Sequence, residues 1–126
     1  MNTEKEKLFE YVDKNRLEAE KLADIIFDRP ELSGEEVFAS GLLEDQFEKS
    51  GFKVTRGLGS LKTAFRAEYV NGKDPVARIG LLCEYDALEG LGHGCGHHMQ
   101  GPSIWLTAMA LKNVLKDQKF RLIVYG

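Results

Sequence analysis

Residues 76–98 read VARIGLLCEYDALEGLGHGCGHH, and this stretch decides the fold class. Its first eight residues are apolar apart from Arg78, too few for most helices and preceded by Pro75. That pattern predicts a strand lying deep in a sheet. Glu84-Tyr85-Asp86 follow at once and supply two carboxylates. A loop over 89–96 is then punctuated by glycine at every second position. All three histidines of the chain, His93, His97 and His98, lie within residues 93–98 together with Cys95. In open α/β sheets ligand sites gather beyond the carboxyl ends of strands.

Working outward, a helix is expected from about residue 98 to 116, with Pro102 in its first turn, where a missing N–H costs little. Its middle, IWLTAMAL, is apolar nearly all round, which implies burial on several sides. Residues 120–125 form a β-like run. On the amino side, Leu61, Thr63, Phe65, Ala67 and Tyr69 alternate as in a half-buried strand, and Phe52 and Val54 begin an earlier one. Asn71-Gly72 is a turn signal that predicts a hairpin joining the strand of 61–69 to that of 76–83. Two helices come first. One spans about 3–28, with Pro30 just beyond it. The other is expected to start at Ser33, where Glu36 stands three residues on in a capping-box pattern, and to stop at Gly51. Helix, helix, three strands, helix, strand describes one layered α/β domain. The final strand has little after it to cover it. The sheet edge beside residues 120–125 and the apolar face near Trp105 are therefore expected to recruit a partner, giving a dimer or larger species.

Composition narrows the class further. The chain has 126 residues, 43% hydrophobic and 29% charged, and a net charge of −3 with its basic residues dispersed. A nucleic-acid partner usually requires a basic stripe, so none is expected. The opening MNTEKEKLFE contains no apolar signal region, and no run approaches the ~20 apolar residues that span a bilayer. A cytoplasmic location with reduced thiols and no membrane partner is the expectation.

Cys thiolate and His imidazole are preferred ligands of zinc and neighbouring transition metals. The interleaved glycines let the backbone turn tightly enough to bring side chains two apart toward one point. The following helix N-terminus would favour a thiolate at Cys95. A glycine-rich surface turn with incidental histidines is the bland alternative. A cysteine hydrolase with Cys95 as nucleophile and His97 or His98 as base is another, weakened by the tight loop and by the want of an orienting third residue. Cys83, at the end of an apolar strand, reads as an inert core thiol. Trp105 and Met109 read as core.

Residues 83–98 also resemble the signature EYDALPGLGHACGHN of a metallopeptidase family that includes aminoacylases, carboxypeptidase G and the peptidase T group. Its nearest branch comprises amidohydrolases of N-acyl amino acids and p-aminobenzoyl-glutamate. RPELSGEE at 29–36, LKTAF at 61–65 and IVYG at 123–126 are similar to it as well. The resemblance implies a three-layer α/β/α fold with a mixed sheet, the N-terminal portion of a zinc-exopeptidase-like catalytic domain. The rest of that domain and the family's lid domain would lie outside residues 1–126.

The resemblance further implies two divalent metal ions, zinc or manganese foremost, with cobalt and nickel also compatible. Cys95 would be the bridging thiolate and His97 a terminal ligand. Asp86 would be the supporting catalytic acid and His93 a site-lining residue. Glu84 fits the signature without an assigned ligand role, and for His98 an extra ligand, a substrate contact and no role are all open, so both are candidates for lining the site. Two departures bear on this: Glu89 replaces a proline and His98 replaces Asn or Asp. The family's general-base Glu and its remaining ligands are not among these residues. The implied activity is hydrolysis of an amide bond in N-acyl amino acids, small peptides or aryl-glutamate amides. The chain alone is expected to be inactive, and a homo-oligomer or association with the remainder is expected. The alternative is a truncated or divergent non-catalytic protein that binds metal or a partner.

Overall fold

The computed structural model describes residues 3–126. Helix α1 (Glu4–Phe27) begins with a capping box in which Thr3 and Glu6 each satisfy the other's backbone N–H. Helix α2 (Val37–Lys49) starts four residues later than the Ser33 signal predicts. The Ser33 hydroxyl does not cap it. Glu31 takes that role, its carboxylate accepting from the N–H groups of Phe38 at 2.9 Å and Ala39 at 2.8 Å. A carboxylate there satisfies two otherwise orphaned donors and complements the helix dipole, so the turn at Ser33–Gly34 stays outside the helix.

Four strands follow: β1 (Lys53–Leu58), β2 (Leu61–Asn71), β3 (Ala77–Leu82) and β4 (Phe120–Tyr125). They form one sheet in the order β1-β2-β4-β3. β4 runs antiparallel to β2 and parallel to β3, so the sheet is mixed as expected. The expected β2–β3 hairpin does not form. The connection over 72–76 steps across the end of β4, which occupies the place between the two strands. Asn71 fixes that arrangement, its amide donating to the carbonyls of Leu115, Lys116 and Gln118 just ahead of β4. Five residues easily span the two strand spacings of roughly 10 Å that such a step requires.

Two corrections follow from this order. β4 is paired on both sides, so there is no free edge beside residues 120–125. β3, expected in the interior, is instead an edge strand, with Leu82 73% exposed and the preceding Val76 92% exposed. A continuous apolar run suits a strand covered on both faces. Among the described residues only one face of β3 is covered, the one carrying Ile79 and Leu81.

Helix α3 (Gln100–Val114) lies after a short 3-10 turn at His97–Met99 and carries Pro102 in its first turn. Ile26, Leu43, Phe47, Trp105 and Ala108 share one core with Phe65, Leu122 and Val124. All three helices therefore sit on one sheet face. The described residues supply two of the three expected layers. The other sheet face carries Glu68 bridged to Arg66 at 2.7 Å and to Arg121 at 3.7 Å. Among the described residues no helix is long and apolar enough to cross a membrane.

Candidate metal centre

The loop leaving β3 is tied at several points before it reaches the histidines. The Glu84 N–H donates to Gln100 Oε1 at 3.0 Å, joining the loop to the start of α3. The Ala87 N–H donates to the Glu31 carbonyl at 2.7 Å, and Leu88 and Gly92 exchange backbone hydrogen bonds. At Gly96 the backbone has φ 92°, a left-handed turn that favours glycine and folds Cys95 back over His97.

The consequence is a compact polar cluster. Cys95 Sγ lies 3.4 Å from His97 Nε2, and His97 Nδ1 lies 2.7 Å from Asp86 Oδ1. Glu84 Oε2 is 3.3 Å from the same Nε2. The side chains of Cys95 and His97 thus converge as their spacing predicts, and the two carboxylates of Glu84-Tyr85-Asp86 meet them. A cavity of about 350 Å³ opens beside the cluster, lined by Glu36, Thr63, Glu84, Asp86 and His97.

The donor set suits a transition metal. A thiolate and an imidazole nitrogen bound to one tetrahedral zinc ion, at ~2.3 and ~2.05 Å, would stand about 3.5 Å apart. The observed sulfur–nitrogen separation is within 0.1 Å or so of that geometry. A carboxylate on the other nitrogen is the usual support of a ligating histidine, fixing both its tautomer and its ring plane. The set is nevertheless partial. Among the described residues no group of three or more His, Cys, Asp or Glu side chains is arranged to hold a metal ion. A catalytic zinc normally takes three protein ligands and an open position.

The remaining predicted residues separate into two groups. Cys83 is a core thiol, 5% exposed, and burial pushes its pKa up to about 12. Tyr85 is also inert: its hydroxyl donates to the Thr63 carbonyl, and burial holds it protonated above the ordinary tyrosine range. His93 and His98 do not join Cys95 and His97. They pack at tilted and edge-on angles against each other and against Phe27 of α1. His93 is 6% exposed, and burial, followed by the neighbouring His98 and His97, lowers its pKa. Sequence reasoning missed Glu31, Glu36 and Gln100, which position or line the cluster. Glu31 and Glu36 fall inside RPELSGEE, but nothing in the spacing of Gln100 signals its hydrogen bond.

No protein-family model matches the chain. It is 33% identical to one of the component chains of the Escherichia coli K12 p-aminobenzoyl-glutamate hydrolase, over 89% of this chain and 27% of that protein. It is 36% identical to human Xaa-Arg dipeptidase, over 75% of this chain and 24% of the relative. The chain therefore spans about a quarter of the length of the curated relatives it matches. Among solved structures it superposes on a Bacillus subtilis protein described as a dinuclear metal-binding peptidase from the M20 family. There the TM-score is 0.75 at 22% identity, covering 86% of this chain and 34% of that one. A leucine aminopeptidase precursor from Bacteroides thetaiotaomicron gives a TM-score of 0.61 at 17% identity, covering 84% and 44%. These likenesses establish the α/β fold with its mixed sheet.

Proposed function

We propose, from the premise that this chain is a homologue of the N-terminal part of amidohydrolases and dipeptidases of the metallopeptidase family, that it contributes part of a metal-dependent amide-hydrolysing site. Cys95 and His97 would hold divalent metal, and the remaining ligands and the general base would come from residues outside 1–126. The observation that carries this reading is the Asp86–His97–Cys95 relay, whose spacing matches two ligands of one ion with a carboxylate behind the imidazole. Two divalent ions bound there would polarise the scissile carbonyl and make a bound water more acidic.

The chain's own residues set up that chemistry. With Asp86 accepting from Nδ1–H of His97, the Nε2 of a neutral ring would be the nitrogen that takes metal. Gln100 accepts from the Glu84 N–H and so ties the start of the loop to α3. The adjoining cavity is of the size that takes a small ligand. The substrate class would be an N-acyl amino acid, a dipeptide or an aryl-glutamate amide. Zinc or manganese would be the preferred metal, with cobalt and nickel accepted by the same donors. Because several members of an interdependent catalytic set lie outside these residues, the chain alone should turn over little substrate.

The test is an amidase assay on N-acetyl amino acids, p-aminobenzoyl-glutamate and X-Arg dipeptides. It compares this chain with the same chain extended by its downstream coding sequence. Chelator-sensitive activity in the longer protein, abolished by Cys95→Ala and by His97→Ala, is expected. Metal bound at full stoichiometry with no activity would favour a divergent metal-binding protein instead. Thiol-dependent turnover without metal would favour Cys95 as a nucleophile.

A further inference from the structure

We propose that His93 and His98 form a second, weaker locus for a divalent transition metal, separate from the Cys95–His97 pair. Both ring nitrogens of His93 and Nδ1 of His98 are buried with no hydrogen-bond partner. Buried polar nitrogens are nearly always satisfied by protein, water or an ion, so three orphans in two touching rings require one of these. The rings stand 5.3 Å apart between centroids, tilted by 56°. Two imidazoles bound through nitrogen to one tetrahedral ion, each ~2.05 Å away, would place their centroids roughly 5.2 Å apart. That separation is also ordinary for two packed rings, and it is compatible with a shared ion.

His98 borders a cavity of about 320 Å³ between α1 and α3 that Arg16, Glu20 and Asp24 also line, with Arg16 paired to Glu20 at 3.7 Å. That cavity adjoins the His98 side of the pair. Phe27 packs on both rings and shields them on one side. Two imidazoles select zinc, nickel, copper or cobalt over magnesium or calcium. With only two protein donors the affinity should be modest, consistent with the finding that no three such side chains cluster among the described residues. The two loci use different atoms, since His97 already directs Nδ1 to Asp86 and Nε2 to Cys95.

The experiment uses the full chain carrying Cys95→Ala and His97→Ala, so that the first pair cannot contribute. Nickel(II) is titrated calorimetrically, and its paramagnetic broadening of imidazole proton resonances is followed by NMR. One weak site is expected, with the His93 and His98 resonances broadened first. Adding His98→Ala, at the more accessible ring, should weaken binding at least tenfold while circular dichroism shows the fold intact. No binding to the double variant would overturn the proposal, as would broadening elsewhere or affinity unchanged by His98→Ala. None of these outcomes depends on whether Cys95 and His97 serve a hydrolase.

Discussion

His97 Nδ1 and Asp86 Oδ1 stand 2.7 Å apart, and that contact turns the other nitrogen of the ring toward Cys95. Asp86→Asn should therefore weaken metal binding at the Cys95–His97 pair by about 10–100-fold while leaving both ligands in place. Competition titration against a chromophoric chelator measures this. Unchanged affinity would mean that the ring is oriented by its packing alone.

The two cysteines should differ sharply. Cys95 is exposed and Cys83 is buried. A bulky alkylating agent at neutral pH should modify one thiol per folded chain, located at Cys95 by mass spectrometry, and added zinc should slow it. Prompt labelling of both would place Cys83 outside the core.

Cys83 also carries a pH dependence. Burial raises its folded pKa from the ordinary thiol value of 9.0 to about 12. The stabilisation is complete below the unfolded value and is lost as pH rises, because the unfolded chain releases a proton that the folded one keeps. Between about pH 9 and 12 this group should cost about 1.4 kcal/mol per pH unit. Cys83→Ala should flatten that part of the stability–pH curve and lose about 1 kcal/mol at neutral pH. An identical alkaline slope in the variant would contradict the assignment.

Much of this was legible in the sequence, and the failures share a cause. The Cys95-Gly-His97 convergence is local: glycine at Gly96 and a two-residue spacing suffice to set it. Helix α3 and its Pro102 were readable because helical period and first-turn chemistry are local too. The place of β4 between β2 and β3 was not, since a turn signal at Asn71-Gly72 cannot reveal a strand arriving nearly 50 residues later. Burial of β3 was overestimated because an apolar run records which faces some neighbour covers, without saying whether that neighbour lies in these residues. The Ser33 cap failed because Glu31, two residues upstream, reaches the N–H groups at the start of α2.

That last point is testable. Glu31→Ala removes both acceptors from the N-terminus of α2 and should cost about 1 kcal/mol. Ser33→Ala should cost almost nothing. Chemical denaturation of the two variants separates them, and a larger loss at Ser33 would restore the capping-box reading.

The central claim is that Cys95 and His97 bind one metal ion together, and cobalt(II) tests it most directly. Titrated into the reduced chain, cobalt should bind only weakly, because the ligand set is partial, and at high concentration should produce a thiolate-to-metal charge-transfer absorption. Cys95→Ser should remove that band, and His97→Ala should weaken the binding that produces it at least tenfold. Cys83→Ala should leave it unchanged. Absence of the band at saturating cobalt, or its persistence in Cys95→Ser, would contradict the account.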